Sequence, residues 1–115
     1  MTTNRYSTRY YSKKQEDKMS KELGLKATPN SGATAFSKGD VTDSNILMEC
    51  KTLMKNQKSV TLQKEWFDKN LVEAQSMGRQ FSVLAFNFGP NSENYVAMDK
   101  DDFNNMYTAW KAVND

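Results

Sequence analysis

The chain contains no histidine and only one cysteine, Cys50, among its 115 residues. Without histidine, no Ser–His or Cys–His nucleophile system, no His-dependent zinc hydrolase and no HNH-type metal site can be assembled. A single cysteine makes neither an internal disulfide nor a zinc cluster, and it implies a reducing compartment, the cytoplasm. Cys50 itself is expected to pack as a small hydrophobe. No apolar run approaches the roughly 20 residues that a membrane span requires, so no membrane partner is expected. Residues 1–11 are basic, polar and aromatic, without the hydrophobic centre of a signal peptide. No Gly-rich loop of the Walker or dinucleotide type is present, which argues against nucleotide-driven work. The hydrolytic route left open is carboxylate–metal chemistry.

What is present fits one domain. A chain of this length buries about two-thirds of its unfolded surface, and its 37% hydrophobic and 26% charged residues are those of a globular protein. The net charge is only +2, but it is uneven. Arg5, Arg9, Lys13, Lys14, Lys18, Lys21 and Lys26 face only Glu16, Asp17 and Glu22 within residues 1–30. A basic front end favours a polyanionic partner.

The most informative stretch is Lys38–Thr52. Asp43, Ser44 and Asn45 are turn residues and Ile46–Met48 begins a strand, so Gly39–Asn45 and Ile46–Thr52 read as a β-hairpin. Centred between Ser44 and Asn45, its register sets Asp40 opposite Glu49, with Cβ atoms roughly 5 Å apart. Alternation puts Glu49 and Lys51 on one face, Met48 and Cys50 on the other. Two converging carboxylates suit Mg2+, which takes hard oxygen ligands, waters and substrate phosphate oxygens, and Mn2+ is expected to substitute. Like-charge repulsion between Asp40 and Glu49 favours uptake of a cation. The plainer reading is a surface hairpin bearing an ordinary Glu–Lys pair. Upstream, Ser12-x-x-Gln15 reads as a capping box opening a helix to about Leu23, with Gly24 as its stop. Glu16 then shares a stripe with Met19 and Leu23, an expensive place for an acid unless it meets a cation.

Glu16, Ser31-Gly32, Asp40 and Glu49-Cys50-Lys51 together resemble the PD-(D/E)XK nuclease superfamily. The likeness is to its small archaeal-type Holliday junction resolvases and their phage-encoded relatives, over roughly Ser12 to Phe103. The resemblance implies an α/β, restriction-endonuclease-like αβββαβ core: a mixed sheet flanked by helices, here with an extra C-terminal helix. It implies Glu16, Asp40 and Glu49 as metal ligands and Lys51 as the group assisting the attacking water. Ser31 and Gly32 would lie near the scissile phosphate, and Gln63 or Lys64 would complete the site. Substrate contacts are further expected from Lys13, Lys14, Lys55 and Lys58. DNA, in particular four-way junctions, is the implied substrate, and two coordinated cuts imply a homodimer; a phage-encoded enzyme would work in the bacterial host cell. Gly39 stands where the family pattern has Pro, and Cys50 where many relatives carry an aliphatic residue. Two alternatives remain: a nicking or processing nuclease without branch selectivity, and a non-catalytic DNA-binding or regulatory protein on the same fold.

The rest of the chain reads as a basic, aromatic arm (Met1–Tyr11), a single domain from residue 12 to 115, a short strand at Leu25–Pro29 and a loop at Leu53–Ser59. A helix is expected over Thr61–Met77 with its stripe on Phe67, Leu71 and Ala74, and Trp66 in the core. Phe81–Phe88 reads as a central strand and Tyr95–Met98 as another. Asp101 or Asp102 is expected to cap a last helix whose stripe of Phe103, Met106, Tyr107, Trp110 and Val113 is expected to close the core, though its width and aromatic content also suit a dimer interface.

Overall fold

A computed structural model describes residues 8–28 and 40–115. Its elements follow the expected order: α1 (Thr8–Leu23), β1 (Lys26–Ala27), β2 (Val41–Thr42), β3 (Ile46–Cys50), α2 (Lys64–Ser76), β4 (Phe81–Asn87), β5 (Asn94–Met98) and α3 (Lys100–Asn114). The strands form one sheet in the order β1-β2-β3-β4-β5. Only β3 and β4 run parallel; the other neighbours are antiparallel. Parallel neighbours need a crossover, and α2 supplies it. The fold is therefore α/β, with a mixed five-stranded sheet flanked by helices.

Strand alternation explains how both faces are covered. Val41, Met48, Cys50, Val83 and Ala85 project to one face and form a single cluster with Met19 and Leu25, so α1 and its trailing loop cover that side. Leu47, Ser82 and Leu84 project the other way. There Asn70 of α2, 1% exposed, donates from Nδ2 to Ser82 Oγ at 2.8 Å, Leu47 O at 3.2 Å and Val83 O at 3.3 Å. A buried amide thus fastens the crossover helix to the two central strands.

Several boundaries differ from expectation. α1 begins at Thr8, so Ser12 is interior and the Ser12–Gln15 capping box does not form; Thr8–Tyr11 belong to the helix and not to an arm. The inward pair is Gln15 and Met19, 4% and 5% exposed, whereas Leu23 is 50% exposed. Glu16, half-buried, therefore borders the inward face and is not on it. Gly24 does end the helix, at φ 72°, a left-handed conformation that only glycine adopts cheaply. α2 starts at Lys64, three residues later than expected, because Gln63 is still extended. Its buried residues are Asn70 and Ala74, while Leu71 is exposed and Phe67 only half-buried. The larger correction concerns α3. Asp99, and not Asp101 or Asp102, caps it by accepting from Asp102 N, and Asp102 Oδ2 accepts from Ser82 N at 3.1 Å. No residue of α3 is buried, so its aromatic stripe does not close the core. None of the helices is long and apolar enough to cross a membrane among the described residues.

Candidate active site

The hairpin that carries the acids is held by its turn. Asp43 Oδ1 accepts from Asn45 N at 2.8 Å and Ile46 N at 3.0 Å, and Thr42 Oγ1 donates to Ile46 O at 2.7 Å. Arg79 Nε donates to the same hydroxyl at 3.0 Å, tying the turn to the segment entering β4. An Asx turn of this kind fixes register because the side chain replaces the missing backbone acceptor. Val41 pairs with Met48 and Thr42 with Leu47, the register that the sequence spacing implies; continued one residue beyond β2, it would set Asp40 opposite Glu49. Both carboxylates lie in a largely water-free setting, Asp40 7% and Glu49 3% exposed.

Lys51 follows β3 and remains tied to the sheet through its N–H, which donates to Ala85 O at 2.8 Å. Its ammonium lies 3.0 Å from Glu49 Oε2 and 4.4 Å from the centroid of the Trp66 ring. Carboxylate and indole face thus clamp the cation from two sides, an arrangement that strengthens as water is excluded. Trp66 comes from the first turns of α2 and is half-buried, not a core residue.

Gln15 locks α1 against the same strand ends. Its Nε2 donates to Lys51 O at 2.8 Å and to Asn94 Oδ1 at 3.0 Å, with a longer contact to Ala85 O at 3.4 Å. Asn87 Nδ2 reaches Thr52 Oγ1 at 2.9 Å and Asn94 Oδ1 at 3.3 Å, and Asn87 Oδ1 accepts from Leu53 N at 3.2 Å. These amides form a polar floor at the carboxyl ends of β3 and β4.

The local field is acidic. Burial pushes the Cys50 thiol far above its usual pKa, and the charges of Asp40, Glu16 and Glu49 raise it further. The charges come from both sides of the sheet, Glu16 from α1 on one face and Glu49 from the other. Among the described residues, no group of three His, Cys, Asp or Glu side chains stands assembled to hold a metal ion. The donor set, two buried hard carboxylates on the two arms of one hairpin, fits Mg2+ completed by waters and substrate oxygens.

The remaining predicted residues divide clearly. Gln63 lines a cleft together with Lys51 and Trp66. Lys14 lines a second cleft with Gln15, Thr52 and Asn87. Lys64 pairs with Asp68 at 2.9 Å and borders a different depression, between α2 and Asp99. Lys13 pairs with Asp17 at 3.4 Å in full solvent, where such pairs contribute little. Lys55 and Lys58 are exposed on the loop after β3. Ser31 and Gly32 lie outside the described residues. Trp66, Gln15, Thr52, Asn87 and Asn94 were not singled out from the sequence as site residues. The four-residue spacing of Gln15 and Met19 was the available signal for Gln15; nothing comparable marked Asn87 or Asn94. Compared with known proteins, the chain matches no family model, no curated protein and no solved structure.

Proposed function

We propose that the protein is a magnesium-dependent DNA endonuclease, selective for branched structures such as four-way junctions, of the kind the PD-(D/E)XK resolvases represent. The observation that supports it is the hairpin register, which continued one residue beyond β2 sets buried Asp40 opposite buried Glu49, with Lys51 Nζ 3.0 Å from Glu49. Carboxylates withdrawn from water are costly unless positive charge lies close by, and here Lys51 supplies one such charge to Glu49; a divalent cation would supply more. Asp40 and Glu49 would hold Mg2+, with Mn2+ as substitute; Glu16, which the resemblance adds as a third ligand, stands on α1 at the opposite face of the sheet from Glu49 and would add only its charge. The metal would supply charge neutralisation at the phosphodiester and a more acidic water. Lys51 would exchange its Glu49 partner for that water or for the phosphate oxygens, and Trp66 would keep its ammonium aimed. Gln15, which grips the Lys51 carbonyl, would hold the Lys51 backbone in place. Paired cuts require two sites, so a homodimer belongs to this reading; the uncovered aromatic stripe of α3 offers a surface for it.

The test is incubation of purified protein with labelled four-way junction and with linear duplex of the same sequence, in Mg2+ and in EDTA. Metal-dependent cutting of the junction, at least tenfold faster than of the duplex, is expected. Equal rates would leave a nicking or processing nuclease. A non-catalytic DNA-binding role is favoured by one observation, the closed Glu49–Lys51 ion pair, which already neutralises Glu49. That reading predicts DNA binding without cleavage, unaltered by Lys51→Ala.

A further inference from the structure

Two clefts meet at Thr52 and Asn87, which line both of them. One, of about 420 Å³, lies between the loop after β3 and the start of α2, with Trp66, Phe86, Leu53 and Leu62 as apolar walls and Gln57 and Gln63 as polar neighbours. Its size falls in the range of small-molecule sites. Gln57 N donates to Phe88 O at 2.8 Å, so this loop is stitched to the end of β4. A side chain at Gly89 would meet the Cα of Asn56 at 2.8 Å, so the loop also packs directly on the turn after β4. The cleft is therefore a built feature of the fold.

The other cleft, of about 260 Å³, lies between α1 and the turn after β4, with Lys14, Lys18, Tyr11, Asn91 and Ser92 around it. Gln15 also lines it; its Oε1 is buried and has no hydrogen-bond partner. Aromatic walls on one side of a ridge and two ammonium groups on the other are the pattern that single-stranded nucleic acid recognises: any base stacks on a ring face, and lysines follow the phosphates. A paired base inside a duplex offers no face to Trp66 or Phe86.

We propose that the two clefts together hold one unpaired DNA strand, a base in the Trp66–Phe86 cleft and a neighbouring phosphate on Lys14 and Lys18, with Thr52 and Asn87 between them. The inference rests on the nucleic-acid reading above and narrows it: the strand beside Lys51 is single or extruded, as it is at a junction or flap, and not stacked in continuous duplex.

Binding is read without metal, so that cleavage plays no part. In a Trp110→Phe background Trp66 is the only tryptophan, since the chain has two. Titration with an eight-residue oligothymidylate in EDTA should quench Trp66 fluorescence saturably, with an affinity at least tenfold above that for a duplex of equal length. Trp66→Ala should weaken binding of a labelled oligothymidylate about tenfold, in line with the ~1–3 kcal/mol attributed to one stacked base, while Trp66→Phe keeps most of it. Lys14→Gln with Lys18→Gln, both on the exposed side of α1, should lower the slope of log K against log salt by about 0.7, the value for the one phosphate they hold. Absence of quenching, equal affinity for duplex, or full binding by Trp66→Ala would overturn the proposal. A protein that binds the strand but never cuts would refute only the nuclease reading; one that cuts junctions without binding single strands would refute only this inference.

Discussion

Replacing Gln15 by Ala should destabilise the protein by about 2–4 kcal/mol. The figure follows from its contacts. Two well-formed hydrogen bonds, to Lys51 O at 2.8 Å and Asn94 Oδ1 at 3.0 Å, are lost, at a net ~1 kcal/mol each. The buried acceptors they leave behind add ~1–3 kcal/mol, offset where water or Asn87 reaches Asn94. For a domain of this size each kcal/mol shifts Tm by roughly 4 °C or more, so a fall near 10 °C is expected. Gln15→Met separates the two possible causes, since it restores most of the volume but none of the donors. Urea unfolding of the three proteins, followed by circular dichroism, measures the difference. If the hydrogen bonds matter, Met stays close to Ala. A Met variant as stable as the wild type, or an Ala variant within 0.5 kcal/mol of it, would show that Gln15 merely fills space and does not latch α1 to the strand ends.

Asn70→Ala should cost a similar ~2–4 kcal/mol, because three acceptors on β3 and β4 lose their donor; an unchanged urea midpoint would contradict that role. Trp110→Ala, on the uncovered helix, should change monomer stability by less than about 0.5 kcal/mol, yet lower the association seen in sedimentation at high concentration if α3 is the contact between copies. Cys50, 3% exposed and with its thiol held protonated by burial and neighbouring acids, should resist iodoacetamide at pH 8 in the native state and react fully in denaturant, where its pKa returns to about 8.5. Rapid native labelling would show that the end of β3 is open.

The hairpin was legible because its information is local. Asp43–Asn45 mark the turn, the turn sets the register, and the register, continued one residue beyond β2, would set Asp40 opposite Glu49. β4 was legible because a strand covered on both faces must be apolar throughout. Gln15 and Asn70 were not: an amide on a helix looks like surface until the carbonyls it reaches, 36 and 23 residues away, are in place. Trp66 looked like core for the converse reason, since a half-buried indole over a lysine has the same sequence pattern as a buried one. The stripe on α3 was read correctly as amphipathic, but periodicity says only that a face is apolar, never what covers it. Here the sheet does not cover it: Phe103, Tyr107 and Trp110 are all exposed. The nuclease resemblance rests on residue types and spacing, and the fold by itself does not decide the chemistry.

The most direct measurement is calorimetric titration of Mn2+ into the metal-free protein, beside Asp40→Asn and Glu49→Gln. Saturable binding by the wild type, weakened at least tenfold in each variant, is the result expected if the hairpin carboxylates hold the cation. No binding heat in the wild type, or the same isotherm in all three proteins, would contradict it.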